Sequence, residues 1–127
     1  MKDDTLLHRQ VNPAWTQGSL ISVQNFISSQ TFTPTKKDNE CLSVYNGEVF
    51  SPEEAFHHFT QMGLLSAGTV SVTIKECQET GLSVHENNNP FPGHCCIDYK
   101  GLTSGQKKVK ASRLRDYACL RDWTFKK

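Results

Sequence analysis

From His94 to Tyr99 the side chains alternate, with Cys95, Ile97 and Tyr99 in one set and His94, Cys96 and Asp98 in the other. That two-residue period is the signature of a β-strand with one side turned to a core. The nine residues before it, HENNNPFPG, hold three asparagines, two prolines and a glycine, which predicts a tight exposed connection with Phe91 pinned to the body. The stretch therefore delivers an imidazole, a thiol and a carboxylate to one strand face at i, i+2 and i+4, a spacing at which neighbouring groups can share a water, a substrate or a proton. The plainer alternative is that His94 ends a loop, Cys96 is a small buried apolar residue and Asp98 caps the next turn.

Other elements are readable from local chemistry. Ser51 with Pro52 and Glu54 forms an N-cap, a proline where no N–H is needed and a capping box, so a helix starts there and stops at Gly63. Its Ala55, Phe59 and Met62 recur at helical spacing, with Phe56 beside them, and predict a core-facing stripe, with His57 and His58 in solvent. Cys41–Tyr45 reads as a short strand before the turn Asn46-Gly47. Gly68–Ile74 reads as a strand with Val70, Val72 and Ile74 inward and Thr69, Ser71 and Thr73 outward. Thr73 and Glu76 predict a second capping box opening a short helix that Gly81 closes. Thr103 or Ser104 caps the last helix, expected over residues 104–122, with Ala111, Leu114 and Ala118 as a narrow apolar stripe. Trp123 and Phe125 are expected to return the tail to the body. Residues 1–40 carry few periodic signals: Pro13 and Gly18 are breaks, Gln24–Phe32 is a short strand or an ordered loop, and Thr33–Asn39 is a surface loop. Their Trp15, Phe26 and Phe32 predict that the segment packs onto the body.

At 127 residues the chain suits one domain with a core that needs no staples. Its short strands do not alternate with crossover helices, so the expected fold is α+β: a small, mainly antiparallel sheet with two principal helices, the last one basic. No apolar run approaches the roughly 20 residues that cross a bilayer, and MKDDTLLHRQ lacks a signal-peptide core, so a cytoplasmic location without membrane attachment is expected. Five cysteines, two of them adjacent, argue against a disulfide framework and for reduced thiols. His85, His94 and Cys96 are weak metal candidates whose spacing matches no standard ligand pattern. No cofactor is expected, because no phosphate-binding or dinucleotide fingerprint is present.

Charge is unevenly spread. Residues 1–99 hold five Lys/Arg against eleven Asp/Glu, a net −6, and residues 100–127 hold nine against two, a net +7. The first functional expectation follows: an interaction module that uses Lys107, Lys108, Lys110, Arg113 and Arg115 on nucleic acid or an acidic protein. The same cations can instead be neutralised by the acidic body. A second expectation is a small enzyme acting on a nucleotide or phosphoester, with His94 and Asp98 as an acid–base pair, Arg9 holding an anionic group, His8 close by, and Ser29, Gln30 or Cys96 supplying a nucleophile or hydrogen bonds. His8-Arg9-Gln10 can equally be a strand whose polar groups satisfy loop backbone.

Taken together, LHRQVNP (7–13), SQTFTPTKKDN (29–39), LSVYNG (42–47), SVTIKEC (71–77), PFPGHCCID (90–98) and the Lys/Arg-rich tail ending in RDWTF resemble a group of small single-domain bacterial proteins. The resemblance spans nearly the whole chain and brings no activity with it. It implies a bacterial cytoplasmic protein of one domain and adds a third expectation beside the two above, an accessory that acts through a partner in a defence or toxin–antitoxin locus.

Overall fold

Strand β1 (Leu6–Gln10) lies inside the sheet rather than at its margin. The computed structural model describes residues 1–16, 26–35 and 40–127. After β1 come β2 (Cys41–Asn46), α1 (Pro52–Gln61), β3 (Gly68–Thr73), α2 (Ile74–Glu79), β4 (Ser83–Glu86), β5 (His94–Asp98), α3 (Ser104–Arg121) and β6 (Phe125–Lys126), with 3-10 turns at Pro13–Trp15 and Ser29–Phe32. The strands form one sheet in the order β4-β5-β2-β1-β3-β6, every pairing antiparallel. The fold is α+β. Gly18, Gln24, Asn25 and the Lys36–Asn39 part of the expected surface loop lie outside the described residues.

One face of the sheet carries the main core. Leu7, Val11, Leu42, Val44, Val70, Val72, Cys95, Ile97 and Tyr99 are buried there, together with Ala111, Leu114 and Ala118 of α3, Cys77 of α2, and Ile27 and Phe32. The alternation read in β5 is thus realised, and Tyr99 seals its phenol by donating to the Phe32 carbonyl at 2.7 Å. Capping boxes at Ser51/Glu54, Thr73/Glu76 and Thr103/Gln106 open α1, α2 and α3. Each satisfies backbone donors that a helix start leaves without intrahelical partners.

The second face departs from expectation. Thr69 and Ser71 are buried, not outward, because α1 packs across β1 and β3 and Phe125 of β6 meets Phe56 of α1, ring centroids 5.0 Å apart. In α1 it is Ala55 and Phe56 that are buried, while Met62 is exposed. The helix bears on a polar sheet face through its N-terminal half, so the expected Ala55–Phe59–Met62 stripe meets no core at its far end. The expectation of fully reduced cysteines is also corrected: Cys41 and Cys96 form a disulfide across β2 and β5. The two are diagonal neighbours on one sheet face, with Cα atoms 5.3 Å apart, within the range a disulfide spans. Cys77, Cys95 and Cys119 are free and buried.

Candidate functional site

Four residues on adjacent strands, Ser71 (β3), His8 (β1), Tyr45 (β2) and His94 (β5), are cross-strand partners and form one row across the second face. The row divides where α1 ends. On the covered side His8 is almost fully buried, with Nδ1 2.7 Å from the Ser71 hydroxyl and Nε2 3.0 Å from the Phe50 carbonyl. A carbonyl only accepts, so Nε2 carries the proton and Nδ1 accepts from Ser71. Burial pushes the imidazole down to about 4, against the smaller opposing effect of the Phe50 bond, so His8 is neutral near pH 7 and its nitrogens are both engaged.

Arg9 sits on the other face of β1, between Leu7 and Val11. Its Nε donates to the Thr31 carbonyl, Nη1 donates to the Ser43 carbonyl, and the guanidinium lies 5.7 Å from the Trp15 ring centre. It braces β2 and the Ser29–Phe32 turn. Ser29 and Gln30 belong to that turn, which packs on α3, and so lie across the sheet from His94.

His94 stands beyond α1, against the Asn87–Gly93 loop, and is itself buried, 7% accessible. Its Nδ1 is 2.9 Å from the Asn87 carbonyl, which places the ring proton on Nδ1 in the neutral form and leaves Nε2 as an acceptor. The bond comes from the Asn87–Gly93 loop, whose Asn89–Pro90 peptide is cis. At its end Gly93 adopts φ +92°, and a Cβ there would stand 2.6 Å from the Phe50 ring. Only glycine permits both the left-handed backbone and this approach. Phe91 is pinned as expected: its ring stacks on Tyr45 (centroids 5.2 Å apart), lies 4.4 Å from His58 and meets His94 edge-on at 5.4 Å. His58 is therefore half-buried rather than solvated, and its Nδ1 is 2.9 Å from the Tyr45 hydroxyl. Burial raises the Tyr45 phenol to about 12.

Two hollows meet at His94. The first, about 180 Å³, is mainly apolar and runs between α1 and the loop, with Phe59 and Met62 on one wall, Pro90 and Phe91 on the other and Tyr45 at the base. The second, about 540 Å³, is a more polar groove over β2, β5 and β4, lined by Ser43, His85, Glu86, the Cys41–Cys96 disulfide, Asp98 and Lys100. Ser43, Pro90 and His94 border both. The first alone is smaller than the roughly 300–1,000 Å³ of ordinary ligand sites; joined to the groove it falls in that range.

Of the expected catalytic set, His94 and Asp98 do share a face and a groove, but Asp98 pairs with His85 at 3.3 Å and caps Lys100 N at 2.8 Å instead of orienting His94. With Cys96 in the disulfide, its sulfur is neither a nucleophile nor a ligand. Among the described residues no group of three His, Cys, Asp or Glu is arranged to hold a metal ion. The cations of α3 divide. Lys107 pairs with Glu40 at 2.9 Å, Lys110 donates to the Thr80 carbonyl at 2.6 Å, Arg115 pairs with its neighbour Asp116 at 2.7 Å, and Lys108 and Arg113 are exposed. Arg121 grips the Glu76 carboxylate with both Nη atoms at 2.9 and 3.1 Å. The aromatic wall of the first hollow was not singled out in the sequence, because Tyr45, Phe59 and Phe91 are far apart in the chain; the Phe-bearing turn before His94 was its one local sign.

Among the described residues no helix is long and apolar enough to cross a membrane. Compared with known proteins, the chain matches no family model, no curated protein and no solved structure.

Proposed function

We propose that the chain binds a nucleotide or related phosphoester in the double hollow around His94, and that His94 acts there as the acid–base group. The observation that carries this reading is the His94 imidazole, held by the Asn87 carbonyl through Nδ1 at the junction of the apolar pocket and the polar groove. A planar base suits the mainly apolar first hollow, bordered by Tyr45, Phe59 and Phe91. A phosphate suits the groove, where Lys100 and His85 supply positive charge or hydrogen-bond donors. Nε2 of His94, an acceptor, takes a proton from a ligand hydroxyl or water and returns it to a leaving oxygen. Asp98 and Arg9 have no part in that step, since each is engaged elsewhere.

The other expectation, nucleic acid or an acidic protein bound along α3, draws support only from Lys108 and Arg113. The experiment that separates the two is an NMR titration of the histidine ring signals with the four common nucleoside monophosphates and with inorganic phosphate alone. Saturable shifts at His94 that require the base are expected, and His94→Gln, with its fold unchanged, is expected to weaken nucleotide binding. Absence of any His94 shift at millimolar nucleotide sinks the reading.

A further inference from the structure

We propose that the outward face of α3 is self-complementary, and that a second copy of this chain docks on it antiparallel, with Val109 against Leu120 and Arg113 against Asp116 about a two-fold axis.

Val109, Arg113, Asp116 and Leu120 follow one another at steps of four, three and four residues within α3. That spacing puts them in a single stripe, on the side of the helix away from the buried Ala111, Leu114 and Ala118. All four are exposed, and the two apolar members are 55% and 82% accessible. Read from either end, the stripe is apolar, charged, oppositely charged, apolar, with the same steps. A two-fold axis perpendicular to α3 at its midpoint therefore brings each Val109 to Leu120 of the second copy and each Arg113 to Asp116 of the second copy, satisfying four charges and four apolar side chains with one surface.

The neighbouring relief agrees with this. Arg113 stands between two hollows, one of about 340 Å³ bordered by Gly105, Gln106 and Val109, the other of about 280 Å³ bordered by Thr80, Tyr117 and Leu120. In the antiparallel arrangement Leu120 of one copy seats in the first and Val109 in the second. The Arg113 guanidinium has no hydrogen-bond partner among the described residues, and Asp116 accepts from Arg115 Nε through Oδ1 at 2.7 Å. A polyanion fits this face poorly: Glu79 and Asp116 interrupt it, and Lys107, Lys110 and Arg121 turn toward their own fold. A contact confined to one helix of about 27 Å buries less than a stable interface needs, so the dimer is weak and concentration-dependent.

The test is sedimentation of the full chain from about 10 μM to about 1 mM, a span that resolves dissociation constants in that range. The wild type is expected to dimerise within it. R113D and D116R each place like charges opposite one another, and each should weaken dimerisation about tenfold or more. An equimolar mixture of the two variants forms heterodimers in which all four charges are again opposed, as does the double variant R113D/D116R with itself, so both should regain association. All four positions are exposed, and unchanged circular dichroism checks that the variants fold. A wild type that stays monomeric throughout, single variants that dimerise like the wild type, or a mixture that fails to regain association would each overturn the proposal.

Discussion

The Ser71 hydroxyl lies 2.7 Å from Nδ1 of His8, inside a row of polar side chains sealed between the sheet and α1. The bond makes His8 a neutral internal acceptor, and burial holds its imidazole down at about 4, from 6.5 in the open chain. Between those two values the unfolded chain binds a proton that the folded one refuses. Stability therefore falls as pH drops from about 6.5 to about 4, by about 3 kcal/mol in all, and His8 contributes no further loss below that. Urea unfolding at pH 7 and pH 4.5 should show the difference, and His8→Gln should flatten that part of the profile. Ser71→Ala leaves Nδ1 buried without its donor and should cost about 1–3 kcal/mol at pH 7.

Thiol chemistry separates the five cysteines into two kinds. Titration of the native protein with an exchange reagent at pH 8 should detect almost nothing, because Cys41 and Cys96 are joined and burial raises Cys77 to about 12, Cys95 to about 11 and Cys119 above its ordinary value. In denaturant without reductant three thiols should appear. Cys41→Ser removes a cross-link between residues 55 apart and should lower stability by about 2–4 kcal/mol.

Along α3, neighbouring cations should behave differently. Lys108→Glu changes an exposed side chain and should move stability by less than about 0.5 kcal/mol. Arg121→Met strips two donors from the Glu76 carboxylate and one from the Ser71 carbonyl and should cost about 1–3 kcal/mol. Chemical denaturation of both variants checks the contrast.

At the aromatic wall, Tyr45→Phe removes only the hydroxyl bonded to His58 and should cost about 1 kcal/mol while leaving nucleotide affinity within about twofold. Tyr45→Ala also removes the stack on Phe91 and should weaken a bound base by about tenfold or more, as loss of one stacking partner does. Thermal unfolding and ligand titration of the pair separate the ring from its hydroxyl.

Local chemistry was legible in the chain wherever a few adjacent residues decide it. The Ser51, Thr73 and Thr103 caps, the alternation in β5 and the pinned Phe91 could all be read directly. Contacts between distant segments could not. Thr69 and Ser71 read as solvent-facing because alternation reports that two sides differ, not that α1 will cover the second one. Arg9 and His94, read as members of one site, both border the first hollow, yet they belong to opposite faces of the sheet, because neighbouring positions on β1 point oppositely and β2 intervenes. The Cys41–Cys96 link depends on the register between β2 and β5, which cysteine spacing in the chain does not encode.

The sequence by itself determined where helices begin, that the sides of β5 alternate and that the last helix carries a cluster of cations, since each follows from side-chain chemistry within a few residues. Only the tertiary structure decided which cations meet a carboxylate, which histidine is sealed and which keeps an available nitrogen. Those outcomes depend on strand order and helix placement, and a change of one neighbour across the sheet alters desolvation and hydrogen bonding more than any adjacent residue in the chain can.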